Sequence, residues 1–153
     1  MTSSGTIGGF LGTSIPRIDG PDKARGIAEY TADVKLDGML FGKILRSPYS
    51  HARIMSIDTS KAKTVPGVHA VVTGEDTFKG ARYGRAIVDI PVLAQGVVRY
   101  VGEQVAAVAA DDETIAERAA RLIELRYEEL PSVRDPEDAM QLDAPILHPE
   151  MLE

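Results

Sequence analysis

The chain has 153 residues, 44% hydrophobic and 26% charged, with neither cysteine nor tryptophan. That is the composition of one ordinary globular domain, long enough to bury roughly 70% of its unfolded surface around an aliphatic, small-residue core. A net charge of −6 disfavours nucleic acid and anionic membrane as partners, and the missing thiols remove disulfides, thiolate catalysis and cysteine-ligated zinc or iron–sulfur clusters from this chain.

Residues 1–14 are rich in Gly, Ser and Thr and read as a flexible arm. They carry no basic segment followed by an apolar stretch, and no apolar run approaches the ~20 residues of a membrane span, so the expected compartment is the cytoplasm. Ile15 to Pro21 is an extended arm, since each proline disfavours helix in the residue before it. Asp22 to Gly26 is too short for a helix stable on its own, and Ala28 to Ala32 fits a strand edge or a turn. Met39 to Leu45 reads as a strand, Arg46 to His51 as a connection and Ala52 to Ile57 as a half-exposed strand. Asp58, Thr59 and Ser60 offer helix caps, and Lys61 to Val65 makes one or two turns before Pro66-Gly67 stops them. Val68 to Thr73 is a further strand. Glu75 to Arg85 is a polar loop, Pro91 limits Ile87 to Ala94 to an edge or irregular segment, and Val97 to Val101 is a short strand.

The organising stretch is Gln104 to Glu129. Val105 to Ala110 is a continuous apolar run, as in a strand buried on both faces. Asp111 or Asp112 then caps a helix start. Ile115, Ala119 and Leu122 share one face with Ala116, Ala120 and Ile123 beside it, while Glu117 and Arg121 are spaced to pair across a turn. Glu124 to Tyr127 returns as a strand, stopped by Leu130-Pro131. The simplest topology for strand, helix and strand is a right-handed crossover. Asp135 to Ala139 is a helical turn with proline at its first position, and 141–153 has the polar, proline-punctuated character of a linker.

Charge is uneven. Residues 1–85 carry twelve Lys and Arg against eight Asp and Glu, and residues 86–153 carry five against fifteen. The plain explanation is a solvated acidic helix and tail; the sharper one is that the halves face different neighbours. Local chemistry offers little. Gly38 to Lys43 fails as a phosphate loop because it is one residue short between the glycines and has Ile44 where a hydroxyl should bind magnesium. His51, His69 and His148 lie far apart without metal-ligand spacing. There is no Gly-x-Ser-x-Gly elbow, and the carboxylates at Asp111 to Glu113 and Glu128-Glu129 are explained by capping and solvated strand ends. No catalytic, cofactor-binding or metal-binding residue is assigned.

Arg46-Ser47-Pro48-Tyr49-Ser50-His51-Ala52-Arg53-Ile54 nevertheless resembles the N-terminal α/β hammerhead domain of the molybdenum-binding large subunit in the xanthine dehydrogenase and aldehyde oxidase family, which includes carbon monoxide dehydrogenase and 4-hydroxybenzoyl-CoA reductase. Further matching pieces follow the family order: Arg17-Ile18-Asp19-Gly20, Ala28 to Asp33, Ile57 to Ser60, Pro66-Gly67-Val68, Val98 to Ala109 and Tyr127 to Pro131. Gln104 departs from the pattern, standing where many relatives have Pro. The resemblance covers about Ile15 to Ala139. It implies an α+β (mixed α/β) fold with a small mixed sheet and one main helix, a flexible arm at 1–14, the hammerhead domain at 15–140 and a linker or tail at 141–153.

It further implies an N-terminal structural domain or split subunit of an enzyme that uses molybdopterin–molybdenum, [2Fe–2S] clusters and often FAD on an aromatic, purine or aldehyde-like substrate. Those cofactors would be held by other large-subunit domains, an iron–sulfur subunit or domain, and possibly a flavin subunit, with none bound by this chain alone. The expected partner interface is the polar loop Arg46, Ser47, Pro48 and His51 at a strand end. The alternative is a free-standing adaptor or small-molecule-binding module that reuses the fold.

Overall fold

A computed structural model describes residues 14–78 and 80–149. The arm expected at 1–14 lies outside the described residues but for Ser14, as do the last residues of the expected tail. The chain divides after Gly38 into two units.

In the first unit, helix α1 (Gly20–Arg25) has Pro21 in its first turn and ends at Gly26, whose φ of 72° lets its N–H cap the carbonyls of Asp22 and Lys23. Asp19 bridges to Arg17 at 2.9 Å and to Lys23 at 2.6 Å. The segment expected as strand edge or turn is a turn, a single 3-10 turn at Thr31–Asp33.

The second unit is built from strands β1 (Phe41–Arg46), β2 (Ala52–Asp58), β3 (Val68–Thr73), β4 (Arg82–Tyr83), β5 (Ile90–Pro91), β6 (Val97–Val98), β7 (Gln104–Ala110) and β8 (Glu124–Glu129). Helices α2 (Ser60–Lys63), α3 (Glu113–Arg121) and α4 (Pro136–Ala139) join them. The strands form three antiparallel sheets, ordered β1-β7-β3, β6-β2-β8 and β4-β5.

The expected crossover is not formed. β7 has both edges taken by β1 and β3, and β8 pairs instead with β2 in the second sheet. The sequence of β8 explains this, for Glu-Leu-Arg-Tyr-Glu-Glu alternates exposed and half-buried positions. Parallel strands sandwiched between helices are apolar on both faces, whereas alternation suits an antiparallel sheet with one face in water.

Helix α3 covers one face of the first sheet. The Asp112 carboxylate accepts from the Ile115 N–H at 2.7 Å and starts the helix, and Arg121 closes the expected pair with Glu117 at 2.7 Å. Ala119 and Ala120 of this helix and Ile123 after it pack with Ala106 and Val108 of β7, Val71 of β3, and Ala62 and Val65 around α2. Alanine at the helix–sheet contact allows the two to approach closely. Gly67 makes the turn into β3 with φ 85°, and a Cβ there would meet the Ile115 side chain at 2.9 Å. A second cluster, Ala52, Ala94, Val98 and Val105, lies between the two larger sheets, with Ile57 and Leu125 packed against both clusters.

Candidate interaction surface

The loop after β1 is fixed from two sides. On one side lies the turn between β6 and β7. The Arg46 guanidinium donates to the Gly102 carbonyl at 2.8 Å, the Ser47 N–H to the Glu103 carbonyl at 2.9 Å, and the Gly102 N–H to the Ser47 carbonyl at 2.8 Å. On the other side is the chain leaving β8. His51 donates through Nδ1 to the Pro131 carbonyl at 2.6 Å, the Leu130 N–H donates to the His51 carbonyl at 3.0 Å, and Ser50 reaches Ser132 at 3.1 Å. Within the loop the Ser47 hydroxyl accepts from the Tyr49 N–H, a local turn bond. The Tyr49 and Tyr127 rings stack in a tilted pair with centroids 5.0 Å apart.

These contacts divide the four expected interface residues. Ser47 and His51 are buried and tie the loop internally, while Arg46 and Pro48 are exposed. Across the Arg46–Gly102 bond lie two residues not singled out from the sequence, Tyr100 and Val101, with 44% and 64% of their surface exposed. Arginine and tyrosine presented on a rigid backbone are the residue types that dominate binding energy at interfaces. The signal for the second pair was their place in the Val98 to Ala109 motif.

Beneath this rim sits Glu103, only 1% exposed. One carboxylate oxygen accepts from the Arg99 N–H at 2.5 Å, and the other has no partner among the described residues. Burial pushes this carboxyl above its ordinary value, opposed by the Arg99 N–H and guanidinium, the Tyr100 N–H and His148. Arg99 also donates to the Leu147 carbonyl at 2.8 Å, and Arg82 approaches His148 at 3.4 Å. The turn is thereby connected to the segment expected as a linker. Gln104 reaches the Tyr83 hydroxyl at 3.2 Å.

The remaining candidates stay apart. His69 pairs with Asp111 at 2.6 Å on the exposed side of β3, whereas His51 leads into β2 of the other sheet. Among the described residues no group of three or more His, Asp or Glu side chains is placed to hold a metal ion. An open groove of about 390 Å³ runs beside β2, lined in part by Ile54, Met55, Gly74 and Gln95. The Gln95 amide is occupied in bonding Gly74, Thr77 and Phe78.

Small antiparallel sheets with one main helix define an α+β domain. The chain belongs to the aldehyde oxidase and xanthine dehydrogenase α/β hammerhead-domain family, whose model matches residues 25–131. It is 48% identical over 132 residues to a probable xanthine dehydrogenase subunit of Bacillus subtilis (strain 168), covering 86% of this chain and 18% of that protein. It is 38% identical over 143 residues to the xanthine dehydrogenase molybdenum-binding subunit of Escherichia coli O157:H7, covering 86% of this chain and 19% of that one. The fold matches the crystal structure of quinoline 2-oxidoreductase from Pseudomonas putida 86 with a TM-score of 0.77 at 41% identity, over 87% of this chain and 18% of that one. The chain therefore spans less than a fifth of the length of these three relatives. No helix among the described residues is long and apolar enough to cross a membrane.

Proposed function

We propose that this chain is the N-terminal structural domain, or a split subunit, of a molybdenum–molybdopterin hydroxylase or dehydrogenase. The observation that carries this reading is a likeness in both sequence and fold that takes in most of this chain and less than a fifth of each of these relatives, at the hammerhead domain. The complete enzyme oxidises an aromatic, purine or aldehyde-like substrate and passes electrons to iron–sulfur clusters and often to FAD. Residues 15–140 serve it as a buttress, and 141–153 lead to the next domain or partner. The cytoplasm is the compartment this reading expects.

The docking edge in this reading is the exposed pair Arg46 and Pro48, extended by Tyr100 and Val101 and facing the iron–sulfur part. Ser47 and His51 hold the edge in shape. Native purification followed by mass spectrometry tests the function: a molybdopterin-binding polypeptide, fused or associated, is the expected companion, and its absence would falsify the reading. Arg46→Ala tests the edge. It removes an exposed side chain together with its bond to the Gly102 carbonyl, and should weaken association with the iron–sulfur component about tenfold, or ~1.4 kcal/mol, while lowering the stability of the chain by no more than about 1 kcal/mol in urea. Undiminished association removes Arg46 from the interface.

A further inference from the structure

The sheet β1-β7-β3 has a second face, and its side chains are apolar. Ile44 and Val72 both lie opposite Ala107, and Gly42 and Ala70 both lie opposite Ala109. Residues paired across antiparallel strands point to the same side, so these six positions form one surface. The alternate residues Ala106 and Val108 point the other way, into the core beneath α3. Next to the six, Val105 on the same side is fully buried in the second core cluster. Cover then ends: Ile44 and Val72 are 39% and 40% exposed, Gly42 and Ala70 are exposed, and Ala107 and Ala109 are half-buried. An antiparallel sheet whose outer face meets water normally alternates to polar residues there. This one places no polar side chain at any of the six.

We infer that this face is the permanent seat of an apolar layer from the molybdenum-binding remainder of the large subunit. The inference rests on the function proposed above and names a second surface for it. Two observations choose the occupant. The relatives carry more than four-fifths of their length outside the region matched here, so the assembled enzyme has ample chain to supply a layer. The face is also uncharged and aliphatic, the composition of obligate interfaces; the rim at Arg46 and Tyr100 has the polar, aromatic character of a separable contact. Small side chains let the incoming layer approach to the ordinary sheet-packing distance of roughly 10 Å.

The chain contains no cysteine, so one introduced thiol is unique within it. Ile44→Cys, Val72→Cys and, on the solvent side of α3, Arg118→Cys are each prepared in the assembled enzyme. Maleimide modification of each site is read by peptide mass spectrometry, natively and in urea. Seating of the layer should slow native labelling at positions 44 and 72 by at least about tenfold relative to urea, as expected for a group reached only through opening, and leave position 118 fast. A photoreactive maleimide held at position 72 should then crosslink to the molybdenum-binding remainder. Fast labelling at 44 and 72 in an intact assembly overturns the inference and leaves the proposed function standing. Crosslinks to residues 1–38 of the same chain, or to a second copy, overturn it equally. A chain that purifies with no molybdenum-binding companion defeats the proposed function, and the inference with it.

Discussion

Glu103 shows how one side chain can hold a turn at a cost. It caps the Arg99 N–H but leaves a buried carboxylate oxygen without a partner among the described residues. Its carboxyl lies above the ordinary value of 4.5, chiefly because of burial. Folding thus favours the protonated form relative to the unfolded chain. Its contribution to stability is full below about pH 4.5 and is lost as pH rises through the raised value. Glu103→Gln should remove that component, so the wild type should lose stability relative to the variant as pH rises above about 4.5 in urea titrations; parallel profiles would refute the assignment. Glu103→Leu, which also uncaps Arg99, should lower stability by about 1–3 kcal/mol. Tyr127 gives the opposite case. Its buried hydroxyl lies beside Ser47 without the geometry of a hydrogen bond. Tyr127→Phe should therefore be neutral or stabilising by up to ~1 kcal/mol in thermal melts, since no bond is lost and a desolvated group is removed. Nothing in the sequence set Glu103 apart from the surface carboxylates, because its burial depends on the Arg99–Glu103 turn closing beneath the loop at Ser47.

Among the elements, α3 was readable because its signals agree. Asp112 caps it, Glu117 and Arg121 pair on its outer side, and the alanines share a face. Asp112→Ala should cost ~1 kcal/mol through the unsatisfied Ile115 N–H, measured as a fall in the urea midpoint at unchanged slope. Ala119 is fully buried against the sheet, so Ala119→Leu should overpack the contact and cost about 1–3 kcal/mol. The strand-rich core was readable as well, with β3 spanning the expected residues. What misled was treating β8 as the partner of β7 because they adjoin the same helix. The half-exposed alternation of β8 already pointed elsewhere, but naming β2 as its partner requires the long-range register Ala52 to Glu129 through Asp58 to Glu124.

For the molecule as a whole, the uneven charge of the two halves resolves partly into pairing between them. Arg53 meets Glu128 at 2.5 Å, and Lys61 pairs with Glu124, each joining a basic residue of the first half to an acidic one of the second. Both pairs are more than half exposed on the basic side, and such pairs contribute about 0–1 kcal/mol. The core carries the weight. Neutralising Arg53 and Glu128 together should change stability by less than about 1 kcal/mol, whereas Ile123→Ala should cost about 2–5 kcal/mol by opening a cavity beneath α3. Chemical denaturation of both variants measures the contrast, and comparable losses would refute it.

The order of residues along the chain was enough to specify the main helix, the longer strands, the small-residue core and the family, because capping, apolar periodicity and ordered motifs are all local; the short strands β4 and β5 were not legible in it. Which candidate residues face inward was settled only in three dimensions: Ser47 and His51 turn in while Arg46 and Pro48 stay out. The same is true of the sheet to which each strand belongs, the burial of Glu103, and the uncovered face holding Ile44 and Val72. Each of these depends on which distant strand supplies the neighbour, and a strand's hydrogen-bonding edge accepts any backbone that reaches it in register.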